Sequence, residues 1–154
     1  MPGSNYVGKA GHLAVMSELA LRGYNVAMPE IDIGDDVFVV NDATGAMWRV
    51  QVKTSRARRQ KSSYRYQFRA RLSSITTAQT PGLHFVFVMR AAERWRYAVI
   101  DRSVLNNYRT ANNIGTLSGG YLQLPMTLHD DGRLVASRLD LTHHLEDWAR
   151  WQVL

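Results

Sequence analysis

Asp36, Gln51 and Lys53 have the side-chain types that a reaction at a phosphate requires. Gln51 and Lys53 lie two residues apart in the segment WRVQVKTS, residues 48–55, and Asp36 begins the apolar run before that segment. A carboxylate and an amide carbonyl are hard oxygen ligands suited to Mg²⁺, which binds a few protein ligands and several water molecules. A lysine beside such an ion can orient a water molecule and stabilise charge on a phosphate. Together these groups could support metal-assisted hydrolysis of a phosphodiester.

The local sequence predicts how these three residues come together. Apolar and polar residues alternate over residues 48–53, which indicates a half-buried strand with Gln51 and Lys53 on one face. The run VFVVND, residues 37–42, predicts a preceding strand, and the following ATG predicts a turn. The resulting hairpin would bring Asp36 close to Gln51 and Lys53.

The longer pattern GKAGHLAVMSELALRGYNVAMPEIDIGDDVFVV…WRVQVKTS resembles the PD-(D/E)XK nuclease superfamily, to which restriction endonucleases and archaeal Holliday-junction resolvases belong. The resemblance covers residues 8–55, about a third of the chain. It lies in the order of a helix ending in RGY, a strand, an acid before an apolar strand, and a strand ending in QVK. It implies an α/β (α+β) fold with a restriction-endonuclease-like core, in which helices flank a mixed four-stranded sheet. It also implies one or two divalent ions, Mg²⁺ or Mn²⁺.

Residue by residue, the resemblance makes Asp36 the acid before the second strand and makes Gln51 and Lys53 the (D/E)XK pair. Asp36 and Gln51 would then hold the metal, and Lys53 would position water. Gln51 departs from the usual acid, but some branches of the superfamily carry QXK, in which the amide oxygen replaces a carboxylate oxygen.

The segment GKAGH is a second departure from the family pattern. Related nucleases often carry GxxGE or GxxAE here, and His12 occupies the position of that Glu. The side chain of His12 could be a metal ligand, a proton shuttle or a core histidine, and all three roles stay open. The catalytic candidates are therefore Asp36, Gln51, Lys53 and His12. Asp32 and Asp35 are reserve ligands, for which ordinary turn chemistry is the favoured interpretation.

The basic residues are concentrated in one stretch of the chain. The net charge is +6, and residues 43–92 contain ten Lys and Arg but no acid, whereas residues 1–42 contain six acids and two bases. Such a block favours a polyanionic partner, and we expect nucleic acid, DNA in particular. The segment YRYQFRAR, residues 64–71, alternates aromatic and basic residues, which predicts buried rings and a stripe of arginines that follows phosphates. The nucleic-acid-binding candidates are Arg49, Arg56, Arg58, Arg59, Lys61, Arg65, Arg69 and Arg71.

Length and composition restrict the remaining possibilities. A chain of 154 residues suits one domain, residues 1–154, and the absence of cysteine excludes disulfides and thiolate metal sites. No apolar run has membrane-spanning length and no signal peptide is evident, so we expect a cytoplasmic protein without a membrane partner. A homodimer is left open.

Outside the core, we expect an amphipathic helix over residues 8–22 and a basic loop over 55–63. A hairpin about Asp131-Gly132 and a closing helix over residues 140–154 should complete the fold.

Three functions agree with these features. The first is a metal-dependent endonuclease that hydrolyses DNA phosphodiester bonds. The second is a catalytically eroded nuclease fold that serves as a nucleic-acid-binding module. The third is a protein-interaction domain whose basic face meets an acidic partner.

Overall fold

The computed structural model describes residues 3–31, 34 and 36–151, which contain three α-helices and eleven strands. The helices are α1 (Ser4–Leu21), α2 (Leu72–Thr76) and α3 (Arg102–Ala111). The strands are β1 (Asn25–Ala27), β2 (Val37–Val40), β3 (Met47–Ser55), β4 (Arg58–Gln60), β5 (Ser63–Arg71), β6 (Leu83–Ala91), β7 (Arg94–Asp101), β8 (Thr116–Ser118), β9 (Tyr121–His129), β10 (Leu134–Ala136) and β11 (Leu139–Asp140). The fold is mixed α+β, as the sequence predicts.

The first sheet has the strand order β1-β2-β3-β6-β7. It is a mixed sheet because β3 and β6 run parallel, whereas its other neighbouring strands are antiparallel. Helix α1 packs against one face, where Val15 and Leu19 join Val50 and Val52 of β3 in a buried cluster. Since every second residue of β3 faces α1, Gln51 and Lys53 face away from this helix.

The opposite face of the first sheet is covered by a second sheet that the sequence did not predict. Its order is β11-β10-β9-β5-β4, with β8 paired to β9. Phe68 of β5 packs edge-on against Phe87 of β6, with the ring centroids 5.0 Å apart. Helices α2 and α3 contribute Ile75 and Leu105 to the same buried cluster. Helices therefore lie on both faces of the first sheet, and the second sheet shares one face with α2 and α3.

The chain ends differently from the closing helix predicted over residues 140–154, and that prediction was wrong. The segment contains two short 3₁₀ turns, Thr142–His144 and Ala149–Trp151. Between them, Glu146 has a positive φ of 54° and its N–H donates to the carbonyl of Tyr97, 2.8 Å away. Docking on β7 therefore replaces helical hydrogen bonds here. Residues 152–154 lie outside the described residues.

Three other predicted elements can be compared with the structure. Helix α1 begins four residues before the predicted start at residue 8. The basic loop over residues 55–63 was also predicted incorrectly, because Arg58–Gln60 pairs antiparallel with the start of β5. The hairpin about Asp131-Gly132 is present as the β9–β10 pair. Among the described residues, no helix combines the length and apolar character needed to cross a membrane.

Candidate functional site

The β2–β3 hairpin holds Asp36 directly beside the middle of β3. Val37 lies opposite Val50 in the antiparallel register, so Asp36 continues the ladder opposite Gln51. The Asp36 N–H donates to the carbonyl of Val50 over 2.9 Å. Its carboxylate oxygen Oδ2 accepts from the N–H of Val52 over 2.6 Å. These hydrogen bonds fix the orientation of the carboxylate, as contacts behind a metal ligand usually do.

The side chain of Gln51 is buried, with 3 % of its surface exposed. Its Nε2 donates to the carbonyl of Gly34, and because a carbonyl can only accept, this contact determines which end of the amide is oxygen. Oε1 is buried and has no hydrogen-bond partner among the described residues. Leaving such an oxygen without a partner costs about 1–3 kcal/mol. The oxygen is therefore available to a cation or a water molecule.

Gly34 presents this carbonyl from a conformation that favours glycine. Its φ is +109°, in the region that L side chains rarely adopt. Gly34 therefore has a defined role in orienting Gln51, which the sequence interpretation missed.

The three predicted residues line a common cleft of about 450 Å³ between the two sheets. The lining residues are Gly34, Asp36, Gln51, Lys53, Arg69, Arg71 and Tyr121. Three of them carry positive charge and one carries negative charge at neutral pH. This excess of positive charge suits an anionic ligand that binds together with a divalent cation.

Arg69 and Arg71 line the cleft from β5, which is largely an edge strand of the second sheet. Its other neighbour, β4, pairs with residues 63–65 of β5 only. Farther along, the N–H of Gln67 donates to Oγ of Ser55, 2.9 Å away, which joins this edge to the end of β3. Both arginines therefore belong to an edge of the second sheet that is joined to the end of the strand carrying Lys53.

Tyr121 was not among the predicted site residues. It is the first residue of β9 and lies opposite Arg71 in the antiparallel register. The guanidinium carbon Cζ of Arg69 lies 3.6 Å from the centroid of the Tyr121 ring. Tyr121 is 68 positions from Lys53 and belongs to no motif, so no sequence signal could have placed it here.

His12 lies on the helix side of the first sheet and is half-buried. It lines a separate cavity of about 320 Å³ together with Asp36, Val52 and Thr54, among other residues. Val52 and Thr54 face α1, whereas Gln51 faces the second sheet, so Asp36 is the residue common to both cavities. The structure thus brings His12 toward Asp36 but not onto the face of Gln51.

Gly11 explains why the helix carries His12 so close to β3. The residue is buried, and a β-carbon at this position would lie 2.0 Å from Oγ1 of Thr54. Only glycine allows α1 and β3 to approach this closely. The second glycine of GKAGH is therefore required by packing, next to His12.

The remaining basic candidates lie at different distances from the cleft. Arg49 stands at the opposite end of β3, with its guanidinium over the ring of Phe38. Arg56 follows β3 and lines an apolar groove together with Tyr6 of α1 and Trp95 of β7. These two arginines lie outside the cleft, as do the exposed side chains of Arg58, Lys61 and Arg65, which the β4–β5 hairpin carries.

Arg59 differs from its neighbours because it has a partner of opposite charge. Its Nη2 donates to Asp130 over 2.8 Å, and a second nitrogen donates to the other carboxylate oxygen. This hydrogen bonding raises the pKa of Arg59 and lowers the pKa of Asp130. Arg59 therefore has fewer donors to offer a phosphate than Arg58 or Lys61.

Two oxygen donors of the cleft suit the divalent ion that the sequence resemblance implies. Among residues 3–31, 34 and 36–151, no three His, Asp or Glu side chains lie close enough together to hold a metal. Asp36 and the oxygen of Gln51 provide two oxygen donors, and Asp32 and Asp35 lie outside the described residues. Mg²⁺ commonly uses one or two carboxylates with several waters. The buried Oε1 of Gln51, which no described residue hydrogen-bonds, and the oriented carboxylate of Asp36 fit such an ion.

Comparisons with known proteins complete the description. No protein-family model matches the chain, and no curated protein matches it. One similar solved structure is that of a bacterial homing endonuclease, I-Ssp6803I, with 20 % sequence identity and a TM-score of 0.49. The similarity covers 80 % of this chain and 76 % of that chain. At this level of similarity, the function has to be inferred from the residues of the chain itself.

Proposed function

We propose that the chain is a metal-dependent nuclease that hydrolyses DNA phosphodiester bonds in the cleft between its two sheets. The observation that carries the proposal is the amide of Gln51. Its nitrogen is held by Gly34, and its buried Oε1 has no hydrogen-bond partner among the described residues, in a cleft shared with Asp36 and Lys53. A purely structural glutamine would satisfy both ends of its amide, because an unpaired buried oxygen is costly.

Five residues of the cleft have a direct role in this reaction. Asp36 and Gln51 would hold Mg²⁺ or Mn²⁺, and the bound ion supplies Lewis-acid polarisation of the phosphoryl group and activation of water. The ammonium group of Lys53 donates hydrogen bonds to the attacking water or to an oxygen of the scissile phosphate, where negative charge develops. Arg69 and Arg71 bind phosphate oxygens from the second sheet.

The test is nicking of supercoiled plasmid in Mg²⁺, in Mn²⁺ and in EDTA. Lys53→Ala should lower the nicking rate about 10²- to 10³-fold, the usual cost of removing a donor that stabilises a transition state. Arg94→Ala removes an exposed basic side chain of β7 that is not among the nucleic-acid-binding candidates, and it should nick like the parent. Asp36→Asn should abolish nicking, whereas Asp42→Asn, at an exposed position, should not.

The same assay distinguishes the two other functions. DNA binding without metal-dependent nicking would reject catalysis and favour the eroded nucleic-acid-binding module. No DNA affinity at low salt would reject both and favour the protein-interaction domain. Equal nicking by the parent and Lys53→Ala would show that the reaction uses another site.

A further inference from the structure

We propose that Arg69 and Tyr121 form a phosphate-binding subsite on the second-sheet wall of the cleft. In this subsite, Tyr121 is a positioning residue that holds the Arg69 guanidinium for a phosphate next to the scissile one. The inference rests on the proposed function, because it assigns the second wall of the cleft to the same nucleic-acid strand. It extends that function by naming the group that orients the strand.

The geometry of the pair leaves the guanidinium able to bind while it is stacked. Cζ of Arg69 lies 3.6 Å from the centroid of the Tyr121 ring, so the cation uses the face of the ring. The N–H donors of a guanidinium lie in its own plane and form a fork that matches two phosphate oxygens. Stacking and bidentate phosphate binding therefore use different parts of Arg69.

Stacking also prepares the side chain for binding. An exposed arginine loses much rotamer freedom when a ligand immobilises it, and that loss weakens binding. The Tyr121 ring has already restricted Arg69, which is otherwise an exposed residue of an edge strand. The ring thus raises the affinity without adding charge.

Other stacked arginines of the described chain do not share these properties. Arg59 lies over Tyr64 at 4.6 Å, but its guanidinium is occupied by Asp130. Arg90 lies over Trp95 at 4.9 Å, in the apolar groove outside the cleft. Arg69 combines a stacked guanidinium with a position in the cleft that contains Lys53.

The experiment measures anisotropy of a labelled DNA duplex over a range of salt concentrations, in EDTA so that no cleavage occurs. Tyr121→Leu should weaken binding about two- to fivefold, the range of an exposed cation–π contact, without changing the salt dependence. Arg69→Ala should flatten the log–log salt slope by about 0.9, because one phosphate contact is lost. Tyr121→Phe keeps the ring and should bind like the parent.

Two further variants separate positioning from a general loss of structure. Arg69→Lys keeps the charge but not the planar fork, so its slope should equal the parent's while its affinity falls as in Tyr121→Leu. This variant tests the subsite even if Tyr121→Leu does not fold. Thr127→Leu, on the same outward face of β9, is the matched control and should bind like the parent.

Unchanged affinity in both Tyr121→Leu and Arg69→Lys would overturn the subsite. An unchanged slope in Arg69→Ala would overturn it as well, because the arginine would then contact no phosphate. Plasmid nicking reports separately on the proposed function. A chain that shows these binding signatures but never nicks DNA retains the subsite and loses the catalytic assignment, whereas a nicking chain without them loses only the subsite.

Discussion

Replacing Gln51 by methionine should abolish activity while leaving the metal-free protein nearly as stable as the parent, or more stable. Methionine keeps the length and approximate volume of glutamine and removes both polar atoms. In the structure, Nε2 of Gln51 makes one hydrogen bond, to Gly34, and Oε1 is buried without a partner among the described residues. The substitution therefore has two opposing effects on the free energy of unfolding.

The magnitudes of these two effects follow from the contacts. Loss of the hydrogen bond to Gly34 costs about 0.5–1.5 kcal/mol, and removal of the unpaired buried oxygen returns about 1–3 kcal/mol. The net change lies between a loss of about 0.5 kcal/mol and a gain of about 2.5 kcal/mol. An ordinary buried glutamine with both ends paired would instead lose stability on the same substitution.

The assay is urea unfolding in EDTA and then with Mn²⁺, for the parent, Gln51→Met and the exposed control Gln67→Met. A cation at 100 times its Kd should stabilise the parent and the control by about 2.7 kcal/mol and should not stabilise Gln51→Met. A loss of more than about 3 kcal/mol for Gln51→Met in EDTA would show that the amide is structural. Equal stabilisation of all three proteins by Mn²⁺ would place the ion elsewhere.

Three further predictions concern the helix side of the first sheet and His84 of β6, a buried histidine that packs against Trp151. Burial, assisted by Arg150 and opposed by Asp101, lowers the pKa of His84 from 6.5 to about 4. The contribution of neutral His84 to the free energy of unfolding should therefore be fully present above pH 6.5. It should fall by up to about 3 kcal/mol as the pH drops to 4, because His84 binds the proton more tightly in the unfolded state. Urea unfolding of the parent and of His84→Gln at several pH values measures this loss. Gly11→Ala should lower the free energy of unfolding by about 1–3 kcal/mol or more, because its β-carbon would lie 2.0 Å from Oγ1 of Thr54. In a double-mutant cycle, adding Thr54→Ala should recover part of this loss. His12→Glu adds a carboxylate beside Asp36 and should shift nicking to lower Mg²⁺ concentrations, measured as rate against Mg²⁺ concentration.

Each of these predictions has a result that would contradict it. The same loss of stability between pH 6.5 and 4 in His84→Gln would assign the pH dependence to other groups. Additive effects of Gly11→Ala and Thr54→Ala would mean that the two residues do not touch. An unchanged Mg²⁺ dependence in His12→Glu would make His12 a packing residue of α1.

The arrangement of Asp36, Gln51 and Lys53 illustrates what local patterns can predict. The period of two along β3 places Gln51 and Lys53 on one face, and both line one cleft. A short turn joins β2 to β3, so the register of the pair follows from the hairpin itself and places Asp36 opposite Gln51. By contrast, the apolar spacing over residues 140–154 suggested a helix, but docking on β7 imposed 3₁₀ turns.

The sequence alone thus determined the fold class, the first hairpin with its three polar residues, and the burial of one face of β5. Tertiary structure decided that Tyr121 meets Arg69, that Gly34 orients Gln51, and that Arg59 is paired with Asp130. It also placed His12 on the opposite side of the sheet from Gln51. The physical reason is the range of the interactions. Alternation and short turns act between neighbours in the chain. The pairing of β5 with β9 joins segments fifty or more residues apart, and the alternation within each strand does not specify its partner.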